Sequence, residues 1–105
     1  MSDLSQNPVR QRSLERVRQI VLDRLEGHRA RVYLFGSCAR GTINRWSDID
    51  VAIEPLEKLP VGLIAHINED LEESTVPYFV DVVDLSTSRP EFRDRIMKDA
   101  VVWKS

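Results

Sequence analysis

The stretch of sequence that decides the fold is GSCARGTINRWSDID, residues 36–50. It follows a short segment rich in β-branched and aromatic residues, Arg31–Phe35 (RVYLF), which predicts a β-strand. It ends inside Ser47–Glu54 (SDIDVAIE), where side chains alternate as in a half-buried strand. A short helical turn is predicted between the two strands, from about residue 38 to residue 43. The stretch therefore predicts a strand, a polar loop, a helical turn and a second strand.

Three amphipathic helices are predicted around this stretch, because apolar residues recur at spacings of three and four. The first is expected to end at Gly27 and the second before Pro77, and the third to begin near Pro90. Their apolar positions, in chain order, are Leu14, Val17, Val21 and Leu25, then Leu63, Ile64, Ile67 and Leu71, and finally Phe92 and Ile96.

A third strand is predicted over Tyr78–Leu85 (YFVDVVDL), and Val101–Trp103 is expected to dock on the body as an apolar tail. The elements together predict one α/β (α+β) domain over residues 1–105, with residues 1–9 flexible. Its centre would be a small three-stranded mixed sheet with about four helices. The helices should cover mainly one face of the sheet, because the polar face of the second strand must remain reachable.

The composition fits a single globular domain. Apolar residues make up 42% of the chain and charged residues 30%, and the formal net charge is −2. A general nucleic-acid binder would carry a basic excess, which is absent here. The single cysteine excludes a disulfide within the chain, and no apolar run approaches the roughly 20 residues that span a bilayer. The polar N-terminus lacks a signal-peptide segment, so we expect a cytoplasmic protein without a membrane contact.

Two aspartates lie close together on the second predicted strand. Asp48 and Asp50 are two residues apart, so their side chains are expected on one face. Carboxylates this close repel each other unless a cation lies between them. Mg²⁺ is a hard cation that prefers carboxylate oxygens and keeps phosphate or water in its other positions. The alternative is that Asp48 caps a turn and Asp50 is a solvated strand residue.

Asp81 offers a third carboxylate, on the third predicted strand. Three carboxylates on neighbouring strands can hold two metal ions roughly 3.5–4 Å apart, which is the arrangement used for in-line phosphoryl displacement. Asp84 is the alternative ligand. Asp81 shares a strand face with Phe79 and Val83, whereas Asp84 falls near the strand end, where an exposed cap is common. This difference favours Asp81 only weakly and leaves Asp84 open.

Residues 36–41 (GSCARG) predict a phosphate-binding loop, because they follow a strand and open a helix. Backbone N–H groups at a helix start bind anions. Gly36 allows the backbone to approach a phosphate closely, and the Ser37 hydroxyl can donate a hydrogen bond to it. The planar guanidinium of Arg40 can neutralise phosphate charge. The alternative is an ordinary tight turn, and no Walker A pattern occurs anywhere in the chain.

The two motifs together are more specific than either alone. The pairing of G-S-x-A-R-G at residues 36–41 with S-D-x-D at residues 47–50 resembles the signature of the minimal nucleotidyltransferases. These proteins belong to the polymerase-beta-like nucleotidyltransferase superfamily. The resemblance covers nearly the whole chain, from the strand at Arg31 to the last helix.

The resemblance implies a role for each motif residue. Asp48 and Asp50 would ligate both Mg²⁺ ions, and Asp81 would be the third metal-binding carboxylate. All three aspartates would be catalytic. Ser37, together with the backbone of Gly36, would hold the triphosphate of ATP. The fold implied is that of the superfamily.

The resemblance also implies a partner. Minimal nucleotidyltransferases pair with small helical HEPN proteins, and in such pairs the nucleotidyltransferase is the antitoxin and transfers AMP from ATP to a tyrosine of the toxin. The short chain leaves little room for an acceptor-binding domain, so we expect another chain to supply the acceptor in a hetero-oligomer. Two alternatives remain open. The chain could neutralise the toxin by binding alone, or it could modify a small molecule or an RNA end.

Overall fold

The computed structural model describes residues 8–35 and 49–105, with side chains described from residue 11 onwards in those ranges. Within them the chain forms three helices and four strands. In chain order these are α1 (Pro8–Leu25), β1 (Ala30–Phe35), β2 (Ile49–Pro55), α2 (Leu63–Glu73), β3 (Val80–Asp84), α3 (Pro90–Met97) and β4 (Val101–Lys104).

The predicted helices and strands agree with these bounds to within a few residues. Helix α1 begins at Pro8, so the last two residues of the segment expected to be flexible, 1–9, are helical. Its end is set by Gly27, whose φ of 84° lies in the left-handed region that glycine adopts without strain. Pro90 opens α3, where its missing N–H costs nothing.

The sheet is mixed and has the strand order β3-β2-β1-β4. Strand β1 is antiparallel to β2 and to β4, and β2 is parallel to β3. The predicted three-stranded sheet is therefore wrong by one strand, because the expected tail Val101–Trp103 lies within β4. A four-residue edge strand is too short to show alternation, and both of its valines are exposed. The helical turn predicted over residues 38–43 lies outside the described residues.

Helices α1 and α2 cover one face of the sheet. The odd-numbered residues of β2, from Ile49 to Ile53, are fully buried there against Val17 and Val21 of α1 and Ile67 of α2. Fully burying an aliphatic side chain of this size contributes about 1.5–3 kcal/mol. This layer is the main core of the protein.

An ion pair joins α1 to α2 at the surface of this layer. Arg24 Nε donates to one carboxylate oxygen of Asp70 at 2.5 Å, and Nη2 donates to the other at 3.1 Å. The hydrogen bond from Arg24 lowers the pKa of the Asp70 carboxyl, and the same contact raises the pKa of Arg24. Both side chains are partly exposed, so solvent screens the pair.

Helix α3 packs against the opposite face, which is less open than the sequence predicts. Ile96 is buried there with Tyr33, Leu85 and Ala52, and Ala52 is fully buried although it shares the strand face of Asp50 on β2. The helices therefore cover one face fully and part of the other. Among the described helices, none combines the length and apolar character needed to cross a membrane.

Candidate active site

The sheet brings Asp50 of β2 and Asp81 of β3 side by side. The two residues are register partners in the parallel β2–β3 pair, so their side chains project from the same face. Neighbouring strands lie about 4.8 Å apart, which sets the approximate spacing of the two backbones. Asp50 is half-buried and Asp81 is exposed. Both side chains therefore lie on one face of the sheet, and Asp81 is the more accessible to solvent.

Apolar neighbours fix this placement. Ile49 pairs with Val80 and Val51 pairs with Val82, and all four side chains pack into the main core on the other face. A carboxylate pair on rigid strands is a hard oxygen donor set of the kind that a divalent cation prefers. Asp50 and Asp81 thus fit Mg²⁺ by their donor chemistry and shared face.

Asp84, the alternative third carboxylate, does not join them. It is the register partner of the buried Ile53, which places it on the other strand face from Asp81. Its carboxylate accepts hydrogen bonds from the backbone N–H of Ser86 at 2.8 Å and from the Ser86 hydroxyl at 2.6 Å. Asp84 is therefore engaged in the turn that follows β3.

The remaining predicted site residues, Gly36, Ser37, Arg40 and Asp48, lie outside the described residues. The described chain ends at Phe35 and resumes at Ile49, and Phe35 is the register partner of Asp50. Phe35 and Ile49, the described residues on either side of residues 36–48, therefore lie at the same end of the sheet as the aspartates. Within residues 8–35 and 49–105, no group of three His, Cys, Asp or Glu side chains comes together, and the predicted triad includes Asp48.

An aromatic pair lies beside Asp50 on the same face. The rings of Phe35 and Phe92 meet edge to face, with their centroids 6.4 Å apart. Phe35 also packs against the small cluster beneath α3, while Phe92 is partly exposed. Through Phe92, α3 therefore contacts the residue that pairs with Asp50.

Sequence reasoning missed the role of Glu54, which lies on the same face of β2 as Asp50. Its carboxylate accepts hydrogen bonds from the Tyr33 hydroxyl at 3.4 Å and from Arg31 Nη1 at 3.5 Å. It also forms a close ion pair with Arg93 of α3. Glu54 thereby anchors α3 to the face that carries the candidate site. No sequence signal marks this network, because it depends on the strand register and on the docking of α3.

Comparison with known families matches residues 25–105 to the family described as polymerase beta, nucleotidyltransferase. Over 71 residues the chain is 37% identical to a protein of Haemophilus influenzae named "Probable protein adenylyltransferase MntA". That match covers 68% of this chain and 62% of the relative, so it spans less than two thirds of the relative's length.

Solved structures that are similar to the chain include the following two. One, described as a minimal nucleotidyltransferase, has a TM-score of 0.69 at 28% identity and covers 92% of this chain and 97% of that one. The other is a toxin–antitoxin complex with AMP-PNP, with a TM-score of 0.64 at 25% identity, covering 82% of this chain and 71% of that one. These findings confirm the predicted family resemblance and fold class.

Proposed function

The chain belongs to the polymerase beta nucleotidyltransferase family, and from this we propose that it transfers AMP from ATP, with Mg²⁺, to a tyrosine hydroxyl of a HEPN-class partner protein and so acts as its antitoxin. The observation that best supports the proposal is the side-by-side placement of Asp50 and Asp81. The adenylyltransferase name of the H. influenzae relative and the AMP-PNP bound in a similar toxin–antitoxin complex support the donor and the setting.

The nucleotide donor, ATP, would be held at the end of the sheet where β1 ends and β2 begins. Ser37, the backbone of Gly36 and Arg40 are the residues proposed to grip the triphosphate. Asp48, Asp50 and Asp81 would hold Mg²⁺, which when bound would offset the negative charge of the triphosphate. Strands β2 and β3 would keep the carboxylates of Asp50 and Asp81 in place without reorganisation during the reaction.

The reaction itself is a displacement at the α-phosphorus of ATP. The tyrosine oxygen forms a bond to this phosphorus, the bond from the phosphorus to the bridging oxygen of the β-phosphate breaks, and pyrophosphate leaves. The hydroxyl proton passes to Asp81, the more exposed of the two described carboxylates. The product is a phosphodiester between AMP and the partner's tyrosine.

The proposal is tested by incubating the chain with its neighbour-encoded HEPN-class partner, ATP and Mg²⁺, and measuring intact mass. We expect the partner to gain one or more AMP units. Asp81→Asn should slow the transfer by roughly 10²–10⁴-fold, the range for loss of a general base. Asp84→Asn is the matched control, because it makes the same change on the same strand but on the other face. No mass gain with a competent partner would refute the proposal.

Two further measurements separate the alternatives. If Asp48→Asn with Asp50→Asn neutralises the toxin as well as the wild type, binding alone accounts for the antitoxin role. If AMP appears on a small molecule or an RNA end without any partner chain, the acceptor is not a protein. Either result would replace tyrosine transfer as the function of the chain.

A further inference from the structure

An exposed aromatic side chain stands beside the candidate site. Phe79 is 84% exposed and immediately precedes β3, two residues before Asp81. Its backbone is nevertheless fixed, because its carbonyl accepts a hydrogen bond from the N–H of Ile49 at 2.8 Å. Covering an exposed phenylalanine side chain is favourable, so a partner that contacts Phe79 would gain affinity.

A groove lies next to Phe79, between the end of α2 and the start of β3. It has a volume of about 350 Å³ and is lined by Leu71, Glu72 and residues 76–80. Its lining is mostly apolar, and we call it the Phe79 groove. It is large enough to seat one or two side chains of a protein segment, but at the low end for a small-molecule pocket.

One residue that lines the Phe79 groove, Glu72, is acidic, and two further glutamates lie near it on α2. The last two turns of α2 expose Glu69, Glu72 and Glu73, and no basic residue lies in the last turn of that helix. A segment that docks there would therefore gain from a lysine or arginine next to its apolar side chain. The combination of an apolar groove, an aromatic rim and an acidic flank fits a protein segment better than it fits a phosphate-bearing ligand.

We propose that the Phe79 groove seats the acceptor-bearing segment of the partner protein, with an apolar side chain against Phe79 and a basic side chain facing Glu72. This inference rests on the proposed function, since it assigns the surface that presents the acceptor. Two residues along a strand span roughly 6.6–6.8 Å, which is about the reach of a tyrosine side chain. The groove lies on the α2 side of the sheet and Asp81 projects from the other side, but β3 is an edge strand of the sheet. A segment anchored on Phe79 can therefore pass around this edge and place a hydroxyl next to Asp81.

The test measures transfer to the neighbour-encoded HEPN-class protein by the wild type and by Phe79→Ala. Exposed aromatic residues that become buried in an interface are common hot spots, so the KM for the partner should rise at least about tenfold. At saturating partner, kcat should stay near the wild-type value, and the KM for ATP should not change. Phe79→Leu, which keeps an apolar anchor, should restore most of the affinity for the partner.

Val61→Ala is the matched control. Val61 is 97% exposed, but it lies just before α2, near the other ends of β2 and β3. Its loss removes an exposed apolar side chain without touching the Phe79 groove, so the KM for the partner should not change. Glu72→Gln should weaken binding at low salt and make it less dependent on ionic strength.

Four results would overturn the proposal. The first is an unchanged KM for the partner in Phe79→Ala, which leaves the proposed function intact. The second is a raised KM for ATP, which would assign Phe79 to the nucleotide. The third applies if the wild type binds the partner but transfers no AMP. Titration calorimetry then measures the Kd for the partner directly, and a Kd for Phe79→Ala equal to that of the wild type refutes the docking surface. Absence of wild-type binding refutes it together with the choice of partner.

Discussion

Glu54→Ala should destabilise the protein by removing the carboxylate that holds α3 on the sheet. The Glu54 side chain is 15% exposed and binds Arg93, Arg31 and the Tyr33 hydroxyl. A hydrogen bond to a charged group contributes about 1.5–3 kcal/mol, and breaking a fully buried ion pair costs about 3–5 kcal/mol. Arg93 is 42% exposed, so water can solvate it once Glu54 is gone. We therefore expect a loss of about 2 kcal/mol.

Thermal and urea unfolding followed by circular dichroism will measure this loss. In a domain of this size, 1 kcal/mol shifts Tm by roughly 4–8 °C, so Glu54→Ala should lower Tm by about 8–16 °C. A double-mutant cycle with Arg93→Ala should give a coupling energy of about 1 kcal/mol. Arg31→Ala is the control, because Arg31 is 47% exposed and lies 3.5 Å from the same carboxylate. Its loss should cost less than about 0.5 kcal/mol.

Two outcomes would refute this reasoning. One is a Tm for Glu54→Ala within about 2 °C of the wild type, and the other is strict additivity of the Glu54 and Arg93 substitutions. Either would show that the apolar contacts of Ile96 and Phe92 hold α3 on the sheet without the ion pair.

Three further predictions concern stability. Ile53→Ala should cost about 2–5 kcal/mol in urea unfolding, because Ile53 is fully buried between the sheet and its helices. Gly27→Ala should cost about 1–2 kcal/mol from its φ of 84° alone, since an added Cβ would meet nothing within 4 Å, and Gly27→Asn should cost less. The lowered pKa of Asp70 means that its pairing with Arg24 stabilises the fold above the usual carboxyl pKa and is lost as pH falls through the lowered value. Asp70→Asn should therefore reduce the difference between the urea midpoints at neutral and strongly acidic pH.

The sequence predicts the helices well because their ends carry local signals. Gly27 supplies the left-handed residue after α1, and Pro90 supplies the first residue of α3. The alternation from Ile49 to Ile53 likewise identifies β2 and its buried face. These features depend on residues close together in the chain, so a single sequence is enough to read them.

The missed features depend on residues far apart in the chain. Ala52 shares the strand face of Asp50, so the sequence suggests that it is accessible to solvent. Helix α3 docks on this face and buries it. Glu54 reads as a solvated strand residue, yet Arg93 reaches it from 39 positions away. Strand β4 is identified only by its pairing with β1. Tertiary contacts decide each of these cases, and no local pattern encodes them.

The register of β2 and β3 connects the apolar core to the proposed chemistry. A shift of one residue would turn Asp81 towards the main core and bring a valine to the face of Asp50. Burying a carboxylate without a partner is costly, and exposing Val80 and Val82 would forfeit the core contacts they make. The two valines therefore hold Asp81 opposite Asp50 through their contacts with the core. The same pairing fixes the Phe79 carbonyl on Ile49, so the core also sets where the proposed docking residue stands relative to the carboxylates.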